Sequence, residues 1–390
     1  MLKRLLEQKA LMIGVGVFAT AMLTAVFLYL QKYNVATMNG QPRIVYRVQN
    51  FDAQGESVRD DYRSVSIDGT DDILIHSTTE QWETLTVFNH SDIGIGTSTA
   101  SRFFDKKGKD ISDTYKDLDI DITPYEMSPA YTADGGLIGI AGRTREGAHE
   151  VSVLNTKTGQ IKKYPCAECK NYTEAYAVGF SGDTNRLYFN VVRDRANHPL
   201  DSDSDLKYLY VELESGNIVD MHLPYFSNEY YKLYPRYDLA FKIISARHDK
   251  AGSVDLISLT DMSQKRLADD LGVGTMAFNG KDVVYDVFVD RSVLAYYPPK
   301  QEIKGVNINS GERYHILPSN LVNTAKRGQK EVRDFLPNSA TFIYTIEYDS
   351  GWEVRMHTID TGEDRSVVNL SAGRFADKTS YIKQYIGVIF

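Results

Sequence analysis

Ser128 to Tyr164 reads SPAYTADGGLIGIAGRTREGAHEVSVLNTKTGQIKKY. A short strand opens at Ser128-Pro129 and reaches the turn Asp134-Gly135-Gly136. A second strand covers Leu137 to Gly142. A hairpin tip through Gly147 leads to a third strand, and the turn at Gly159 starts a fourth. Asp-Gly between alternating apolar residues is a strong hairpin signal. Four short antiparallel strands joined by tight turns are the unit of a propeller blade.

The unit recurs. Its closing turn, an Asx, Ser or Thr corner followed by glycine, appears as FDAQGE at Gly55, FDKKGK at Gly108 and NTKTGQ at Gly159. It returns as LESGN at Gly216, NINSGE at Gly311 and IDTGED at Gly362, with a degraded copy from Leu259 to Leu267. A spacing of about 50 residues is a blade period. The strand pairs before the turns also repeat, as in Val178–Val192, Tyr234–Arg247, Met276–Asp290 and Phe335–Asp349. A more divergent copy runs from Arg63 to the turn at Gly108.

These residues resemble the TolB-type, WD40-like propeller repeat. That family places a Ser-Pro-Asp-Gly turn before a buried strand. Here Ser128-Pro129 keeps the first pair, and an Asp or Asn stands near the turn at Asp134, Asp183, Asn279 and Asn338. The resemblance covers nearly everything after about residue 43 and implies a fold rather than an activity. The Trp-Asp ending of true WD40 blades is missing.

The expected fold is all-β, a seven-bladed propeller, with six or eight blades as alternatives. Ile44–Val58 reads as the last two strands of a blade, and the chain ends on the strand-like YIKQYIGVIF. Pairing the two ends completes a blade and hides edges that would template aggregation. The propeller is therefore expected over residues 43–390.

Leu11–Leu30 is an uncharged apolar run of the length that spans a bilayer. Lys3, Arg4 and Lys9 precede it. That bias predicts a cytoplasmic tail at 1–10, a transmembrane helix at 11–30, a tether at 31–42 and a propeller outside the cytoplasm. A cleaved signal peptide is the alternative. The chain carries a net charge of −8, and the body without its first 30 residues is more acidic still, which argues against a nucleic-acid backbone as ligand.

In a four-stranded blade the second-to-third link and the link to the next blade share one face. The glycine turns share the other. The longer segments fall on the first face: DTYKDLDIDITPYE, PCAECKNYTEAY, RDRANHPLDSDSD, LPYFSNEYYKLYPRY, AYYPPKQE and LPSNLVNTAKRGQK. Loops on a rigid scaffold collect binding groups, so the partner is expected there.

Cys166 and Cys169 are the only cysteines. Outside the cytoplasm they read as a local disulfide, with free thiols, metal or redox roles as alternatives. Asp201, Asp203 and Asp205 alternate, with Glu212 beyond. That spacing allows a calcium site, but Leu206 stands where such a loop needs glycine, and a solvated acidic loop reads better. No other cofactor is implied. Tyr230, Tyr231, Tyr234 and Tyr237 cluster around Arg236. Such a set serves a binding surface or fills the core between blades. No H-E-x-x-H, G-x-S-x-G or P-loop motif occurs.

The sequence thus predicts a membrane-anchored scaffold that binds a protein or a cell-envelope polymer. A propeller hydrolase or lyase with its site at the channel mouth is the alternative.

Overall fold

A computed structural model describes residues 42–389, except 53, 55, 80–83, 89–91, 97–100, 116–128, 144–148, 194–205, 224–228, 245–251, 270–272, 289–300, 318–328, 349–350 and 370–379. Residues 41–390 form one compact unit. The apolar run 11–30, its flanks and Asp201, Asp203 and Asp205 lie outside the described residues. Among the described residues no helix is long and apolar enough to cross a membrane.

The strands follow in chain order. β1 (Arg43–Phe51), β2 (Ser57–Ser66) and β3 (Ile73–Thr78) come first. β4 (Thr84–Val87), β5 (Asp92–Gly96) and β6 (Ser101–Asp105) form a second group. Then come β7 (Ala130–Tyr131), β8 (Leu137–Arg143), β9 (His149–Asn155) and β10 (Ile161–Pro165). β11 (Glu174–Phe180), β12 (Arg186–Val192), β13 (Leu206–Glu212) and β14 (Ile218–Asp220) follow. Next are β15 (Glu229–Tyr234), β16 (Leu239–Ile244), β17 (Ser253–Ser258) and β18 (Gln264–Asp269). β19 (Val273–Phe278), β20 (Asp282–Phe288), β21 (Gln301–Asn307) and β22 (Arg313–Leu317) make the sixth group. β23 (Gln329–Phe335), β24 (Thr341–Tyr348), β25 (Gly351–Thr358) and β26 (Asp364–Asn369) precede the last strand, β27 (Ser380–Ile389).

They pair into seven antiparallel sheets, so the chain is a seven-bladed β-propeller. Blade 1 has the order β27-β1-β2-β3, blade 2 is β4-β5-β6, and blades 3 to 7 take the remaining strands in order. Neighbouring sheets touch along their first strands: β27 with β4, β7 with β11, β11 with β15 and β19 with β23. These first strands are the inner ones. Apolar clusters between sheets form the core.

The two ends do share one blade, but Ile44–Val58 does not supply its last two strands. The N-terminal segment gives three strands to blade 1 and the C-terminus gives one. The FDAQGE turn therefore joins the second and third strands of its blade, on the face opposite the other copies. The true counterpart of those copies is the turn at Gly69, with φ +82°. The segment from Arg63 likewise belongs to blade 1, and among the described residues blade 2 has an isolated Phe104–Asp110 bridge where a fourth strand would pair. Both hairpins end in Asx-glycine turns, so local pattern cannot assign them to sheets. Burial can: Ile44, Val45, Tyr46 and Val48 are each at most 1% exposed, the signature of a strand covered on both faces and flanked on both edges.

Two repeated devices stiffen the blades. At the closing turns of blades 3 to 7, the first turn residue donates its amide to the first turn of the same blade, and in blade 1 Ile67 donates to Pro42 just before β1. Examples are Leu213 to Asn185, Leu259 to Asp238, Ile308 to Lys281 and Ile359 to Ala340. Across blades, a basic side chain on the outer strand donates to the next blade's closing turn: Lys162 to the Leu213 carbonyl, Lys265 to Ile308 and Arg365 to Ile67. Outer strands also carry a one-residue bulge, which inserts Ile75, Leu267, Ile316 and Val367 in blades 1, 5, 6 and 7. All four are apolar and pack into the interblade core. A bulge re-aims a side chain that strict alternation would expose.

Candidate functional site

The inner strands read poorly as apolar strands because charges interrupt them: EYYKLY in β15 and QKEVRDF in β23. The structure gathers these interruptions around the channel side of the ring. β23 has a bulge at Arg333, where Val332 pairs with Tyr344 but Asp334 pairs with Ile343. β11 and β19 are bulged at comparable places.

Asp334 is the hub. It is exposed, yet four groups from three other blades lie within its electrostatic reach. Tyr385 on β27, itself 7% exposed, donates its hydroxyl to Asp334 Oδ2 at 2.8 Å. Burial and then the Asp334 charge push Tyr131 up to about 12, and they drive Tyr234 and Tyr385 well above the ordinary phenol range. Lys232 is pulled the other way. Burial lowers its amine, with Asp334 and Asp286 opposing and Arg333 reinforcing, and its Nζ donates to the Met276 carbonyl.

A second group lies toward the loop-rich end. Asp286 on β20 is 1% exposed, and Gln301 Nε2 donates to its Oδ2 at 3.3 Å. Burial drives the Asp286 carboxyl well above the usual range, Glu331 adds to this, and nearby amides and Arg333 oppose it. Asp286 also raises Tyr230, after burial, to about 12. Gln301 in turn accepts from the Lys330 amide, while Lys330 Nζ donates to the Gln301 carbonyl at 3.2 Å. Arg333 pairs with Glu331 and donates to Thr345 Oγ1 at 3.1 Å. Two buried oxygens, Asp286 Oδ1 and Tyr234 Oη, have no hydrogen-bond partner among the described residues. A buried polar atom left unpaired costs about 1–3 kcal/mol, which a ligand that satisfies it recovers.

The tyrosine cluster is not a loop. Tyr230, Tyr231 and Tyr234 stand on β15, and Arg236 and Tyr237 occupy the short 3₁₀ turn after it. Tyr231 is buried, with its ring 5.6 Å from that of Tyr208. Tyr234 and Tyr237 meet Phe278 edge-on at 5.4 and 5.1 Å. Arg236 lies over the Tyr237 ring at 5.8 Å. The set thus divides: Tyr231 and Tyr237 fill the core, while Tyr230 and Tyr234 reach the charged group above.

Cys166 and Cys169 form a disulfide, with Cα atoms 5.2 Å apart, around the 3₁₀ helix Ala167–Asn171 before β11. Most of the other long loops lie outside the described residues. Among the described residues no group of three His, Cys, Asp or Glu side chains is arranged to hold a metal ion. Sequence reading missed Lys232, Asp286, Arg333, Asp334 and Tyr385. The available signal was charge inside strands of the repeat.

No protein-family model matches the chain, and no curated relative is found by sequence. Solved structures match through the fold. Oligogalacturonate lyase in complex with manganese aligns with TM-score 0.50 at 10% identity, over 86% of this chain and 87% of that one. The Pyrococcus horikoshii acylaminoacyl peptidase aligns with TM-score 0.46 at 13% identity over 84% of this chain, which spans 46% of the peptidase. TolB from Acinetobacter baumannii aligns with TM-score 0.42 at 13% identity, over 71% of this chain and 64% of TolB. Such identities establish the propeller architecture and leave the activity to the site.

Proposed function

We propose that this chain is a membrane-anchored, extracytoplasmic propeller that binds a protein or envelope polymer, with the polar group around Asp334 at the heart of the recognition site. One observation carries the reading. An exposed carboxylate couples to groups from three other blades, and buried oxygens at Tyr234 and Asp286 stand nearby without partners. A convergent set of donors and acceptors with unspent capacity is what orients a bound segment. The apolar run 11–30 supports the anchor, and the cation bias before it supports the orientation.

The test is crosslinking and affinity capture of the tagged full-length protein from its own membranes. Wild type should capture a defined partner, and Asp334→Asn and Lys232→Met should lose it while remaining folded. Capture of nothing by wild type, or the same set by the variants, would sink the proposal. Protease added outside intact cells or spheroplasts should cut the propeller; protection would refute the orientation.

A second reading, a hydrolase or lyase, draws on Asp286 and Lys232. Burial raises the acid and lowers the amine, and pKa values pushed toward neutrality suit acid–base work. A screen of glycans, esters and lactones tests it, with turnover lost in Asp286→Asn.

A further inference from the structure

Three strands of blade 7 are laced by Tyr344, Arg355 and Asp364. Tyr344 donates to Asp364 Oδ2 at 2.7 Å, and Arg355 Nε donates to Tyr344 Oη at 3.0 Å and to Asp364 Oδ1 at 2.8 Å. Blade 1 repeats the arrangement. Tyr46 is the cross-strand partner of Arg63, and Arg63 Nε donates to Asp72 Oδ2 at 3.1 Å. Blade 6 keeps the first two members, since Tyr285 pairs with Lys304 as Tyr344 pairs with Arg355. The third member is inverted. Asp364 faces His357, two residues past Arg355, and the residue facing Val306, two past Lys304, is Arg313. A cation stands where blades 1 and 7 hold a carboxylate.

A groove of about 200 Å³ opens at this place, between blades 5 and 6. Tyr285, Lys304, Arg313, Tyr314 and His315 line it. Gly305 forms its floor: a Cβ there would meet the Tyr314 ring at 2.2 Å, so glycine lets that ring lie against the strand. Two acids are close and both are engaged, Asp269 in the lining itself and Glu302 beside it. Asp269 pairs with Arg266 at 2.7 Å. Glu302 stands 3.5 Å from His315 and 3.9 Å from Lys304. Arg313 donates Nη2 to the Leu267 carbonyl at 2.8 Å, and among the described residues no carboxylate pairs with it.

We propose that this groove binds a small oxyanion, a carboxylate or phosphate group, which takes the position of the missing aspartate. Lys304 and Arg313 supply charge-assisted donors, and an arginine fork suits either anion. The site is independent of the channel group.

The experiment measures thermal stabilisation of the full-length protein by inorganic phosphate and, separately, by succinate, at ionic strength held constant with sodium chloride. Wild type should show saturable stabilisation, and the arm that saturates at lower concentration identifies the anion. Arg313→Gln should weaken that response about tenfold or more. Arg313→Asp should abolish it while leaving the unligated Tm at or above that of wild type, because the lacing is restored. Lys157→Gln, an exposed cation on another blade, should respond as wild type. No saturable response in either arm, an unchanged response in both Arg313 variants, or an equal loss in Lys157→Gln would overturn the proposal. Should Arg313→Asp lower Tm, the Arg313→Gln result decides.

Discussion

The closing turns need one residue with positive φ, and glycine supplies it at 108, 159, 216, 311 and 362 with φ between +70° and +80°. Met262 takes the same place in blade 5 at φ +59°, with its amide donating to the Ser258 carbonyl as Gly311 donates to Asn307. That was the copy whose sequence looked degraded. A side chain in this conformation costs about 1–2 kcal/mol. Met262→Gly should therefore stabilise the protein by about 0.5–1 kcal/mol once the freer unfolded chain is counted, read from urea unfolding. Gly159→Ala has open space around its new methyl and still should cost about 1 kcal/mol, because the strain is in the backbone. At the first turns, the Asx positions were legible for a plain reason. Asp134 accepts from Thr132 Oγ1 and the Gly136 amide, and Asp183 accepts from Ser181 and the Asn185 amide. These bonds hold both carboxyls below their usual range.

At the scale of the strands, the lacing of blade 7 has a pH signature. Burial pushes the Asp364 carboxyl up, but hydrogen bonds from His357, Tyr344 and Arg355 outweigh it and leave it below the ordinary value. A depressed acid contributes stability above its unfolded pKa, about 3.9, and loses it as pH falls through the folded value. Asp364→Asn should cost about 1–2 kcal/mol at pH 7, and its gap from wild type should narrow below about pH 4. Urea denaturation across pH reads both. This lacing was invisible in the chain, because its members sit on three strands and only register brings them together. The outer-strand bulges were hidden likewise: one extra apolar residue looks like a break in alternation until the partner strand is known.

For the whole ring, the inner edge of β1 is covered by β27. Removing residues 380–390 should leave that edge bare, give a non-cooperative urea transition and promote self-association seen in size-exclusion chromatography. The disulfide closes only a short loop, so Cys166→Ser should cost about 2 kcal/mol rather than unfold the ring. The channel group was barely readable. Tyr230 and Tyr234 stood out as aromatics, but Asp334, its hub, stands 100 residues from Tyr234 and 203 from Tyr131 in the chain.

By itself the sequence determined the blade unit, its period, the class of the fold and the turns that need glycine or an Asx residue. Each of these rests on forces acting within a few residues: alternation of burial, turn conformation and local hydrogen bonds. Only the tertiary structure decided which hairpins share a sheet, how the two ends divide the closing blade, and which charges meet at the channel and in the groove. Those depend on strands from distant repeats being set side by side, and neither the strand nor the turn pattern encodes its neighbour.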